Sequence, residues 1–376
     1  MKELQDIISK FKIDAGKDLR ISPFGTGLIN DTYKVTAQDG EYILQRINHQ
    51  IFTDVELMQN NIRRITEHIA NKLAHKGESD IERKTLTLIP AADGKLYYFS
   101  GETYWRLTRF IQNSKTFEQV TPELARLTGL AFGNFQDMLS DLPGEPLGYT
   151  IPDFHNMEFR LEQLKEALSL DRAGRLDQVK EITAGEVSRQ IKVSDIAEEL
   201  LSRAEEMCKA ERLGREGKLP KRVTHCDTKV NNMLFDKDGS FLCVIDLDTT
   251  MPGYVLSDFG DFIRTAGNTA AEDEPDTSKI ALNMEIFKAF AQGYLQGASS
   301  FLTPVEIENL PFGAKLLTYM QTVRFFTDYI NGDIYYKIKY PEHNWVRTIA
   351  QFTLLKSIEK HEGEMNRYIA QLRNNQ

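Results

Sequence analysis

Asp227 and Asn232 stand five positions apart in the run Thr224-His225-Cys226-Asp227-Thr228-Lys229-Val230-Asn231-Asn232, and Ile245-Asp246-Leu247-Asp248 follows it. That spacing lets one loop carry a proton-accepting carboxylate beside a neutral amide able to ligate magnesium, which is the chemistry of phosphoryl transfer. In this reading Asp227 is the catalytic carboxylate, and Asn232 and Asp246 are the metal ligands.

The elements between these residues must bring them together. Met233-Leu234-Phe235 and Phe241-Leu242-Cys243-Val244-Ile245 read as two apolar strands, joined by the turn residues Asp236-Lys237-Asp238-Gly239. In an antiparallel pair the start of one strand lies beside the end of the next. Asn232 and Asp246 are therefore expected to face each other across about 5 Å of strand spacing. Two oxygen ligands at one end of a hairpin suit a hard cation that keeps water and substrate phosphates in its shell, and Mg2+ fits. His225 reads as a buried scaffold for the loop. Asp258 reads as a helix cap or as an anchor of the loop through backbone amides.

A phosphate donor needs its own binding elements. Residues 19 to 24, 31 to 36 and 41 to 47 alternate as three successive strands, with Gly25-Thr26-Gly27 and Asp39-Gly40 at the turns. Gly25-Thr26-Gly27 is not a dinucleotide fingerprint, because a strand pattern and not a helix follows it. A glycine turn between antiparallel strands instead makes a flap over nucleotide phosphates, and Gly25, Thr26, Gly27 and Asn30 are its candidate contacts. Arg46, the only cation of the third strand, is the candidate phosphate clamp, gripping by a planar fork where a lysine would act as a point charge. Glu56 and Glu67 on the next helix are both possible partners for it. Tyr104 to Ile111 ends the sheet, and there Trp105 and Phe110 are either adenine contacts or core.

The helix over 54 to 74 carries Met58, Ile62, Ile65 and Ile69 on one stripe, with Asp54 as N-cap. With the strands it completes a first, nucleotide-binding lobe over residues 1–110. Residues 111–376 read as a larger catalytic and acceptor-binding lobe, with helical patterns near 121, 154–170, 193–211, 279–298, 304–331 and 345–372. The fold class is α+β and two-lobed.

Composition sets outer limits. The 376 residues are 41% hydrophobic and 27% charged, an ordinary globular balance, and the net charge of -9 argues against a nucleic-acid partner. No apolar stretch approaches the roughly 18 residues of a membrane helix, and there is no signal pattern at the start. Three cysteines without metal-ligand spacing suit a reducing compartment, so a cytoplasmic protein is expected.

Together these runs resemble the aminoglycoside phosphotransferase and choline kinase superfamily, small-molecule kinases with a protein-kinase-like bilobal fold. Gly25 to Tyr33, Tyr42 to Asn48, Ile245 to Thr249, Met251 to Tyr254, Asp258 to Asp261 and Arg324 to Tyr329 look more narrowly like its N-acetylhexosamine 1-kinase branch. The resemblance implies ATP, Mg2+ and transfer to the anomeric hydroxyl of N-acetylglucosamine or N-acetylgalactosamine. It also implies that Asp227, Leu247, Arg324 and Tyr335 meet the sugar. Two departures stand out: Cys226 where the superfamily has Gly, and Leu28 where some hexosamine kinases have His. The alternatives are a kinase for choline, homoserine or an aminoglycoside, and a nucleotide-binding pseudokinase acting as a sensor.

Overall fold

A computed structural model describes residues 2–25, 29–117 and 119–374. The chain forms two compact units, the first built from residues 1–116, 138–152 and 231–252 and the second from 117–137, 153–230 and 253–376. The architecture is α+β, with a sheet in the smaller unit and mainly helices in the larger. A single break near residue 110 is the sequence expectation; the contacts group the 233–244 hairpin with the sheet.

In the first unit, Arg20–Pro23, Asp31–Ala37, Gly40–Ile47 and Tyr104–Arg109 lie side by side as antiparallel neighbours. Their alternation puts Val35, Tyr42, Leu44, Trp105 and Leu107 on one buried face, closed by Ile7, Ile8 and Phe11. The helix Val55–His75 starts at Asp54, whose side chain accepts from Leu57 N, and buries Met58, Ile62, Ile65 and Ile69. Asn61 on the same helix is buried. It donates to the carbonyls of Gly148 and Thr250 at 2.8 and 3.2 Å, which ties the segment after Asp246 to this helix.

The second unit is organised around Leu310–Asn331, a helix buried on nearly all sides. Small residues set its closest approach. A Cβ on Gly260 would stand 2.1 Å from the Gly313 carbonyl oxygen, so the helix Val255–Ala266 meets Leu310–Asn331 backbone to backbone. A Cβ on Gly293 would stand 1.9 Å from Arg126 O, and the helices Pro122–Leu139 and Met284–Ala298 cross there. Phe259, Phe262, Phe287, Phe290 and Tyr294 fill the adjoining core.

Several short elements fall outside the sequence reading, the longest of them a hairpin. Val179–Ala184 and Val187–Lys192 pair as a two-stranded hairpin around Gly185, with only Ile182 buried. So little apolar patterning leaves almost no period to read.

The Gly260 crossing also positions Asp258 and Asp261 on the same helix. Gly260→Ala is expected to cost about 1 to 3 kcal/mol through overpacking against backbone that cannot yield. Urea unfolding of the variant checks this, and an unchanged midpoint would show that the crossing has slack.

Candidate active site

The loop of the second unit that carries Asp227 is held on both sides of it by one helix. Asp258, fully buried in Val255–Ala266, accepts from His225 N and Cys226 N at 2.8 Å each and from Gln136 Nε2 at 2.7 Å. Its own carbonyl accepts from Thr228 Oγ1 at 2.6 Å. Asp261 takes Thr228 N at 3.1 Å and is itself forked by Arg264 at 2.9 and 3.0 Å. Of its two expected roles, cap and loop anchor, Asp258 takes the second: Tyr254 is the N-cap of its helix.

His225 is buried between the edges of Phe132 and Phe135, and its Nδ1 accepts from Asp227 N at 3.3 Å. Cys226 lies at φ +63°, in the left-handed region that glycine enters most easily. The superfamily's Gly at this position thus has a backbone reason, and the Cys carries some strain. Asp227 keeps 27% of its side chain exposed, and Lys229 Nζ sits 2.7 Å from its Oδ1. Partial burial would pull the Lys229 ammonium down, but Asp227 and Asp261 outweigh it and raise it above the usual lysine value. Lys229 lies two residues beyond the candidate catalytic carboxylate, a spacing visible in the sequence.

In the first unit, Met233–Asp236 and Phe241–Val244 form the expected hairpin. Its register corrects one detail. Met233 pairs with Val244, and Ile245 N donates to Asn232 O at 2.9 Å, so Asn232 stands opposite Ile245 and Asp246 lies one step beyond. Asp246 then turns left-handed, at φ +60° and ψ +54°, and is exposed, while Asn232 is buried. A carboxamide and a carboxylate at this end of the hairpin are the oxygen donors a hard cation takes. Among the described residues no three His, Cys, Asp or Glu side chains gather into a metal cluster. An ion held by this pair would complete its shell with water and phosphate oxygens, as magnesium does.

Next to this end lies a buried network that the sequence reading missed. Asp248, 2% exposed, pairs with Arg106 and accepts from Asn30 Nδ2 at 2.7 Å. Arg106 Nε reaches Gln45 Oε1 at 2.9 Å, and Asn48 N donates to Asn30 Oδ1 at 2.9 Å. The Asn30 side chain is therefore a strut between Asp248 and the strand end at Asn48.

The remaining nucleotide candidates divide. Thr26 and Gly27 lie outside the described residues. Gly25 is left-handed at φ +74° with open space where a Cβ would go. Arg46 is half-exposed and pairs with Asp31 across the sheet; Glu67 pairs with Arg63, and Glu56 accepts from Tyr97. Neither candidate acid serves Arg46, because Asp31 sits directly opposite it in register. Trp105 is core, packed beside Tyr33 and donating to Thr103. Phe110 is half-buried, edge-on to the exposed Phe24 at 5.8 Å.

Leu247 is buried in the first unit. Arg324 and Tyr335 come together in the second, with the guanidinium 6.0 Å from the Tyr335 ring centre, beside a cavity of about 270 Å³. His155 is electrostatically coupled to both Arg324 and Asp227, and its imidazole is held neutral, pushed down to about 3 chiefly by burial and then by Arg324.

The sequence model of the phosphotransferase enzyme family matches residues 20–300, well over half the chain, and the chain belongs to that family. Among solved structures, choline kinase from Cryptosporidium parvum Iowa II aligns with a TM-score of 0.57 at 12% identity, over 98% of this chain and 99% of its own. A choline/ethanolamine kinase family protein from Mesorhizobium loti gives 0.55 at 16% identity, over 99% of both chains. An aminoglycoside phosphotransferase from Alicyclobacillus acidocaldarius gives 0.55 at 12% identity, over 99% and 95%. The fold is thus the protein-kinase-like one of these small-molecule kinases.

Two outcomes follow from the buried acids. Arg106→Leu leaves Asp248 buried without its cation and is expected to cost about 3 to 5 kcal/mol, read by chemical denaturation. Asp258 is pushed up to about 6 by burial, against the pull of His225 and the N–H donors. Since this lies above the unfolded value of about 3.9, its contribution to stability is complete below that value and is lost as pH rises through about 6. Protonation also weakens its hold on the His225 and Cys226 amides. Turnover should therefore fall below about pH 6 while this group does nothing to lower the melting temperature; a flat rate profile from pH 8 to 5 contradicts it.

Proposed function

We propose that this chain is an ATP- and Mg2+-dependent phosphotransferase acting on a small-molecule hydroxyl, with the anomeric hydroxyl of an N-acetylhexosamine as acceptor and the sugar 1-phosphate as product. The reading is carried by Asp227, a partly exposed carboxylate beside Lys229 on a loop locked by Asp258 and Asp261.

Asp227 orients the acceptor hydroxyl and takes its proton as the oxygen attacks the terminal phosphorus. The new O–P bond forms while the bond to the bridging oxygen breaks, ADP leaves, and the proton rests on Asp227. Lys229 pairs with the carboxylate and offers a positive charge to the transferring group. Asn232 and Asp246 would hold the metal, which supplies neutralisation of phosphate charge when bound. Phe110 and Phe24 offer an apolar edge to the base. Most of the rate enhancement comes from positioning and fixed charge.

Support for a sugar comes from the sequence runs shared with hexosamine kinases and from Arg324 and Tyr335 at one cavity. A cationic acceptor such as choline or ethanolamine fits poorly there. Arg160 and Arg324 both line the cavity, whereas its two carboxylates, Glu166 and Asp328, are already engaged.

Phosphorus NMR of the products from ATP and a panel of hexosamines, choline and ethanolamine is expected to show an anomeric phosphate from an N-acetylhexosamine. Phosphocholine as the main product would overturn the acceptor assignment. Asp246→Ala is expected to remove the magnesium dependence of nucleotide binding in calorimetry; equal affinity with and without the ion in wild type and variant alike counts against the metal role.

A further inference from the structure

Arg160 on the helix Met157–Leu170 and Arg324 on Leu310–Asn331 line the cavity of about 270 Å³ in the second unit. Among the described residues neither guanidinium has a carboxylate partner. Arg160 donates to Gln163 Oε1 and Phe154 O at 2.9 Å each, and its Nε is buried with no partner. Arg324 donates to Gln321 Oε1 at 3.2 Å and otherwise faces the rings of Phe154 and Tyr336 at 5.1 and 5.6 Å.

The acids nearby are committed elsewhere. Glu166 pairs with Arg172 at 3.1 Å. Asp328 accepts from the amides of Ile334, Tyr335 and Tyr336 and from Asn344 Nδ2. Asp153 bonds Asn156. Thr327 adds a buried hydroxyl with no partner.

Two like charges therefore share a partly dehydrated wall. The Arg160 guanidinium is pulled down to about 10, first by burial and then by Arg324, and His155 is held neutral by the same causes. A chain of net charge -9 has carboxylates to spare, yet among the described residues none pairs with either guanidinium. An arginine fork matches carboxylate, sulfate and phosphate oxygens, and burial strengthens such a contact.

We infer that Arg160 and Arg324 bind an anionic substituent carried by the acceptor, so that the preferred sugar is an acidic derivative of the hexosamine. This rests on the acceptor cavity of the proposed function. The charged group lies against the two guanidiniums, and the sugar's reacting hydroxyl is left for Asp227. Arg160 is then a specificity-determining residue.

The test compares N-acetylglucosamine with its 6-sulfate, its 6-phosphate and its 3-O-lactyl ether as acceptors, and titrates sodium sulfate into the full chain by calorimetry at constant ionic strength. At least one acidic acceptor should show kcat/KM tenfold or more above the neutral sugar, the gain lying in KM. Arg160→Gln should reduce that ratio at least tenfold, and Arg160→Lys should restore part of it, with circular dichroism confirming that both variants fold. Sulfate should bind the wild type and bind Arg160→Gln at least tenfold more weakly. A neutral sugar outrunning every acidic one, or Arg160→Gln slowing all acceptors equally, overturns the inference. If no sugar is phosphorylated while sulfate binding still depends on Arg160, the sugar-kinase reading fails and the anion site stands. If sugars turn over and sulfate binding ignores Arg160, the reverse holds.

Discussion

A single buried carboxylate, Asp258, organises the loop on which the proposed chemistry depends. It accepts two consecutive backbone amides, His225 and Cys226, while its own carbonyl accepts the Thr228 hydroxyl. Burying an ionised acid is costly unless every strong lone pair is met, and here three N–H donors meet it. In return the backbone at Cys226 is held left-handed, and Asp227 is bracketed by bonds before and after it. Asp261, one turn along the same helix, repeats the device through Thr228 and Arg264.

The first unit uses a parallel arrangement. Asp246, the proposed ligand, is exposed, and Asp248, two residues on, is buried against Arg106 and Asn30. In each unit a solvent-facing acid suited to reaction is flanked by a buried acid suited to holding backbone. A buried pair of this kind is a weak source of net stability but a strong penalty for misplacement, because losing one partner strands the other. That property fits residues whose task is to fix a position.

Much of this was legible in the sequence, and the limits have physical causes. The strands over 20–47, the helix from Asp54 and the hairpin after Asn232 followed from alternation, capping and turn chemistry. Distance beyond the hairpin set Asp258 apart from the metal ligands and left it as cap or loop anchor, and the helix start at Tyr254 decides for the anchor. The register at Asp246 differs by one from the expectation, and it is set inside a hairpin with an irregularity between Leu234 and Phe235, which strand spacing does not reveal. Arg106 was hidden because its partner Asp248 is 142 residues away, whereas Arg46 drew notice as a lone cation and proved to serve Asp31 across the sheet. Trp105 could be core or contact on pattern alone, and burial decided for core. The 179–192 hairpin and the pairing of Arg160 with Arg324 depend on tertiary contacts that carry no local period.

The most direct test of the central claim is single-turnover phosphoryl transfer by Asp227→Asn, with nucleotide affinity and melting temperature measured on the same preparation. The account predicts a loss of about 10²-fold or more in the transfer rate, with folding and nucleotide binding retained. Transfer at close to the wild-type rate would contradict it.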